Sequence, residues 1–200
     1  MINIIQTLLQ DEEYILEEYE GKIIFFKGNS RTYPEEYIEI ERTGIIGKFI
    51  VFEVHRDVKY VKLETGKKEE ACIYSVVIYK KLFDSIVERS GIRVIQKYLN
   101  AGEEEKALVC SIDHCDDAFY SIDYEEIKKI SLLRSKDRVD VKFGGEYLVQ
   151  NVSLDRGYVV FYNYCKKLQY ISSFCIEILS KLKFNINYEE IFKLYILGHI

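Results

Sequence analysis

The chain has 200 residues, 48% of them hydrophobic and 30% charged, which supplies enough apolar matter for a packed core and excludes a disordered chain. Its formal net charge of −5 disfavours nonspecific binding to DNA or RNA, where Lys and Arg grip the phosphates, and suits a basic protein partner instead. One proline and 11 glycines leave no stretch that reads as a flexible linker, so one large domain or two small ones are expected.

In chain order, residues 2–19 read as an amphipathic helix, with Ile2, Ile5, Leu9, Leu16 and Tyr19 near helical spacing, acids between them, and Gly21 as the stop. Four strands are predicted over 22–27, 37–42, 48–55 and 58–63, separated by turn residues at Gly28-Asn29-Ser30, Thr43-Gly44 and Arg56-Asp57. The run Phe49–Val54 is almost continuously apolar and suits a central strand. Tyr37-Ile38-Glu39-Ile40-Glu41 alternates and suits a sheet with one wet face. From Glu69 the spacing of Ile73, Val76, Val77, Phe83, Ile86 and Val87 predicts a helix to about Arg89, against a competing strand over 72–79 where Val and Ile dominate. A shorter helix follows over 92–100.

Further strands are predicted over 107–112, 118–122, 138–143, 147–152 and 158–162, with hairpin turns at Gly144-Gly145 and Asp155-Arg156-Gly157. Ser121–Glu126 and Asn187–Glu190 resemble helix N-termini, and two helices over 164–184 and 188–197 close the chain. The fold class is therefore α+β: mainly antiparallel sheet with helices packed on one side. Both halves run strands, a helix carrying Lys-Lys-Leu (Lys80–Leu82 and Lys166–Leu168), then a short helix rich in Tyr and Leu. A duplication explains this, and so, more simply, does coincidence between two α+β halves. The acidic segment at 102–106 is the natural boundary, giving 1–104 and 105–200, which can also pack as one continuous domain.

The five cysteines cannot all pair within the chain. Residues 1–5 are briefly apolar but lack a basic flank, and Asp11-Glu12-Glu13 cuts them off. No run approaches the roughly 20 apolar residues needed to cross a bilayer. A cytoplasmic protein with reduced thiols and no membrane association is expected.

The chemistry-bearing residues do not form a recognisable centre. His55, His114 and His199 stand in unrelated contexts, and no glycine pattern suits a phosphate. The densest polar cluster is Cys110-Ser111-Ile112-Asp113-His114-Cys115-Asp116-Asp117. A metal-dependent or thiol enzyme would be centred on Cys110, His114 and Cys115. Zinc sites, however, repeat short Cys pairs or add a separated His pair, and Cys165 and Cys175 supply neither. A strand end entering an acidic turn accounts for the same letters. Paired carboxylates (Glu12-Glu13, Glu17-Glu18, Glu35-Glu36, Asp116-Asp117, Glu125-Glu126) fit solvated helix faces and helix N-termini, whereas glycosidic acid–base work needs two carboxylates set across a cleft. No catalytic residue, metal or cofactor is expected.

Seventeen tyrosines exceed what a core with satisfied hydroxyls accommodates easily. Tyrosine is favoured at interfaces, and equally at core edges in a chain rich in Ile and Tyr. An acidic, Tyr-rich chain that opens on an amphipathic helix resembles the immunity proteins of bacterial polymorphic-toxin and contact-dependent inhibition systems. The segment Val77-Ile78-Tyr79-Lys80-Lys81-Leu82-Phe83-Asp84-Ser85-Ile86 adds to the likeness over a small part of the chain. The resemblance implies a protein that binds a cognate toxin domain, often a nuclease, and performs no chemistry. Acidic side chains would meet the toxin's basic, substrate-binding surface, with tyrosines as packing anchors. The contact candidates are Asp113, Asp116, Asp117 and Tyr120, then Glu35, Glu36 and Tyr37. A viral or mobile-element inhibitor of a host defence protein would share the same physics and differ in its target. Oligomeric state is not legible.

Overall fold

The computed structural model describes residues 1–28, 34–44, 47–84, 86, 89–113, 115–182, 184 and 187–199, with the side chain of Leu179 excepted. Asn29, Ser30 and His114 lie outside that set. The protein is α+β, with a five-stranded antiparallel sheet, a four-stranded mixed sheet and helices alongside. It divides into two compact units. The first joins Met1–Asp84 to Ile178–Tyr195, and the second is built on Ser85–Glu177. The two helices that flank the acidic 102–106 segment therefore group with the second sheet.

In the first unit, α1 (Ile2–Leu8) leads into a meander of β1 (Tyr14–Tyr19), β2 (Lys22–Lys27), β3 (Glu36–Thr43), β4 (Lys48–His55) and β5 (Val58–Thr65), each strand pairing with the next. The predicted helix over 2–19 thus ends at Leu8, and its second half is a strand. Glu20 and Gly21 both have positive φ (50° and 78°), the backbone of a two-residue hairpin turn, and Tyr14–Tyr19 pairs in full register with Lys22–Lys27. Of the acids read as a helix's wet face, Glu17 and Glu18 are exposed residues of an edge strand, while Asp11, Glu12 and Glu13 precede it. Arg56 and Asp57, with φ 46° and 66°, close the β4–β5 hairpin in the same way.

Helix α2 (Lys68–Phe83) settles the ambiguity over 72–79 in favour of helix. Every residue from Ala71 to Lys80 is buried, so the run is apolar all round and shows neither period cleanly. Tyr79 stacks on Phe25 of β2 with centroids 5.7 Å apart. Tyr74 donates to Glu190 at 2.5 Å, and the buried Lys80 ammonium pairs with Glu12 at 2.7 Å. Glu190 belongs to α6 (Tyr188–Ile196), whose N-terminus is capped as predicted: Asn187 Oδ1 accepts the Glu190 N–H. On β3, Ile38 shares Phe25's side of the sheet, as the alternation required. Glu39 on the opposite side is only 2% exposed, however, and pairs with Lys59 at 2.6 Å and Lys22 at 3.4 Å.

The second unit begins with α3 (Arg89–Asn100) and α4 (Glu104–Ile112). The strand predicted over 107–112 is α4: Ala107, Leu108 and Ser111 are buried at helical spacing while Val109 is exposed. Four strands follow, β6 (Tyr120–Ile122), β7 (Ile130–Ser135), β8 (Arg138–Phe143) and β9 (Glu146–Ser153), in that order across the sheet. Gly144 and Gly145 make the predicted β8–β9 turn, whereas β7 was not foreseen. The strand predicted over 158–162 and the turn before it are both the start of α5 (Leu154–Leu182). Tyr158, Phe161, Tyr162, Cys165, Leu168, Ile171, Cys175 and Ile178 are each at most 1% exposed, and their 3–4 spacing continues unbroken from the segment read as a strand.

Gly157 is not a turn residue but the point where α5 touches β8. A Cβ there would overlap the Val139 Cγ2 methyl and crowd Val152. Gly157→Ala is therefore expected to destabilise the second unit by about 1–3 kcal/mol, the cost of overpacking a close contact, read as a lowered urea midpoint at unchanged slope.

Candidate partner-binding surface

Charge along the chain is not evenly spread. Between Glu103 and Ile127 nine carboxylates stand against a single cation, Lys106, so the rest of the chain carries more Lys and Arg than Asp and Glu. This acidic stretch runs through α4, a short 3-10 turn (Asp117–Phe119), β6 and the loop 123–129.

Its first part lies along α5. Asp116 caps the 3-10 turn, its Oδ1 accepting the Ala118 N–H at 2.9 Å, while its own N–H donates to Gln169 Oε1 at 3.4 Å. Tyr120 meets Phe161 edge-on at 6.1 Å, and the Cys115 and Cys165 thiols interact with one another. Phe161, Cys165 and Gln169 are four residues apart and form one stripe of the helix. Asp113, at the C-terminal end of α4, Asp116 and Asp117 are exposed, and Tyr120 is half-buried. The structure thus brings Asp116, Asp117 and Tyr120 into one short segment. Cys110 does not join Cys115: it lines a groove between α3 and α4 with Val94, Tyr98 and Val109. Among the described residues no three ligating side chains converge as a metal site would need.

The second part is a loop that the sequence did not reveal. β6 and β7 pair in parallel, Tyr120 opposite Ile130 and Ile122 opposite Leu132. A parallel pair needs its connection to travel back along the strand, usually through a helix. Here seven residues do it, which is possible only because β6 is three residues long. The loop is pinned at every turn. Asp123, at φ 65°, donates its N–H to Leu132, and Gly144 donates to the Ile127 carbonyl. Beneath the loop the buried Ser121 and Ser131 hydroxyls lie 2.8 Å apart. Ser121 holds the Tyr124 carbonyl at 3.0 Å, and Ser131 accepts the Glu126 N–H at 3.0 Å.

Three cations secure the loop's acids. Arg134 forks onto Asp123 (2.9 and 2.5 Å) and holds that carboxyl below its usual pKa. Lys142 pairs with Glu125 at 2.8 Å, and Lys129 with Glu126 at 3.2 Å. Arg134 also reaches Glu105 at 3.3 Å, and Glu104 accepts from the buried Tyr158 hydroxyl at 2.8 Å. What the loop presents outward is Tyr124, 57% exposed, and Ile127, 62% exposed. Ser121–Glu126, which resembles a helix N-terminus in sequence, is the end of β6 and the loop after it, with Ser121 a buried strap beneath that loop.

Glu35, Glu36 and Tyr37 sit in the first unit and do not form a comparable surface. Tyr37 is 6% exposed in a cluster with Phe26 and Val54, so it is a core residue. Glu35 pairs with Arg56, and Glu36 lies 3.1 Å from His55 Nδ1, whose Nε2 is 2.5 Å from Glu53.

Two outcomes are expected. Ser131→Ala leaves the Glu126 N–H without its acceptor. It should cost about 1–2 kcal/mol and speed amide exchange at Glu126 well above that of the β8 core. His55 is raised above its ordinary 6.5, first by Glu53 and then by Glu36. Its contribution is fully present below that pH and lost as pH rises through the folded value. Wild type should therefore lose about 0.5 kcal/mol relative to His55→Gln between roughly pH 6 and 9, as expected for a partly exposed pair, by urea titration at each pH.

No helix among the described residues is long and apolar enough to cross a membrane. No protein-family model matches the chain, and neither the curated proteins nor the solved structures hold a match to it.

Proposed function

We propose that this is a protein-binding inhibitor, an immunity protein that occupies a basic toxin domain in the cytoplasm through the surface 113–127. The observation that carries the reading is the 123–129 loop. It offers two exposed apolar side chains, Tyr124 and Ile127, on a backbone fixed by buried serines and ringed by carboxylates. Binding energy concentrates in a few aromatic or aliphatic anchors, and a loop already rigid loses little entropy on docking. The acids of 103–117 give the field that would steer a cationic surface, as a nucleic-acid-cleaving domain presents. Five free thiols suit a reducing compartment.

Co-expression with the toxic domain encoded beside the gene is the test. Growth should be restored by the wild-type chain. Tyr124→Ala with Ile127→Asp should abolish rescue and weaken binding by at least about 2 kcal/mol while leaving the circular dichroism spectrum unchanged. Asp116→Lys with Asp117→Lys should act mainly on the association rate and flatten its salt dependence. Rescue that survives all four changes would refute the surface. A neighbouring product that is harmless, or is not neutralised, would refute the inhibitor reading.

A further inference from the structure

Cys115 and Cys165 stand apart from the other thiols. Cys72 and Cys175 are buried singly, their pKa pushed up by burial to about 11 and about 12, and behave as small core residues. Cys115 and Cys165 face one another from different elements. Two contacts on the same stripe of α5 flank that meeting: Tyr120 on Phe161, and the Asp116 N–H on Gln169. The Cys115 N–H is held by the Ile112 carbonyl at 2.9 Å, which sets the start of the segment. The two thiols differ in access, Cys115 being half-buried and Cys165 fully buried.

We propose that Cys115 and Cys165 are a reversible thiol–disulfide site, with Cys115 the attacking thiol and Cys165 the resolving one, oxidised by small disulfides of the glutathione class. Burial pushes the Cys165 thiol up, and Cys115, only half-buried, is the sulfur that solvent can reach, so attack on an outside disulfide starts there. The Cys115 thiolate attacks one sulfur of glutathione disulfide. A bond forms between Cys115 Sγ and that sulfur, the glutathione S–S bond breaks, and one glutathione leaves as thiolate. Cys165 Sγ then attacks Cys115 Sγ, closing the protein disulfide and expelling the second glutathione. The protein loses two electrons and two protons, and the oxidant is reduced to two glutathione thiols. The product ties the segment 115–120 covalently to α5. This inference does not rest on the inhibitor reading.

The full chain, reduced and then treated with glutathione disulfide, is quenched in acid, alkylated and mapped by mass spectrometry after digestion. A transient glutathione adduct on Cys115 should give way to linked peptides 107–128 and 157–166, two hydrogens lighter than the separate thiols and separated by dithiothreitol. Fragmentation should place the link at Cys115, not Cys110. In Cys165→Ala the adduct on Cys115 should persist. In Cys115→Ser, oxidation of Cys165 should slow by about tenfold or more. Wild-type protein that keeps the adduct on Cys115 while Cys165 remains a thiol, or that links Cys165 elsewhere, overturns the proposal. That mapping decides the matter even if a variant fails to fold.

Discussion

Where α5 lies on β8 nothing separates the two backbones but the Val139 methyls, because residue 157 has no side chain. This close seat fixes the rotation of the helix about its own axis. A register slip of one residue would turn it by about 100° and bring Tyr162, Lys166 and Tyr170 to the place of Phe161, Cys165 and Gln169. The stripe that receives Tyr120, Cys115 and Asp116 exists only in the observed register. Gly91 on α3 repeats the device from the other direction, since a Cβ there would meet the Tyr162 hydroxyl. The acidic segment is thus positioned by two absent side chains as much as by its own bonds.

The carboxylates of this region do two kinds of work. Asp123, Glu125 and Glu126 are paired by Arg134, Lys142 and Lys129, which keeps a short loop from being driven apart by its own charge. Asp116 and Asp117 are exposed and project the residual field. The same separation applies to the hydroxyls: Ser121 and Ser131 are wholly internal, yet they decide where Tyr124 emerges.

The sequence was most legible where period and punctuation agreed. The predicted bounds of β2, β4 and β8 match to the residue, because a strand-length run, apolar in β2 and β4 and alternating in β8, ends on Gly, on Arg-Asp or on Gly-Gly. Short apolar runs misled: 107–112 and 158–162 are too brief to show a helical period alone, and only the burial of Ser111 and Cys165 on the inner faces reveals it. β1 was lost to its acids, which suit an exposed edge strand as well as a helix face. β7 was lost to Ser131, a hydroxyl in a core position that makes sense only with Ser121 opposite it. For the proposed surface, the acidic cluster and the family resemblance suggest Asp113, Asp116, Asp117 and Tyr120, whereas Tyr124 and Ile127 look unremarkable until a parallel strand pair forces their loop outward. Tyr37 shows the converse, because nothing in its neighbours' polarity betrays the cluster that buries it.

The first sheet's simple order has a kinetic meaning. Each of β1 to β5 pairs with its sequence neighbour, and Glu20-Gly21 and Arg56-Asp57 prepay two of the reversals with backbone already bent the right way. Loops closed this locally cost little entropy, and chains rich in such contacts fold fast. In the second unit, β6 pairs in parallel across a connecting loop, and α5 seats Gly157 against Val139 of β8 and Val152 of β9. Synthesis order favours the meander too, so the first sheet is in a position to form while the residues that build the acidic surface are still being added.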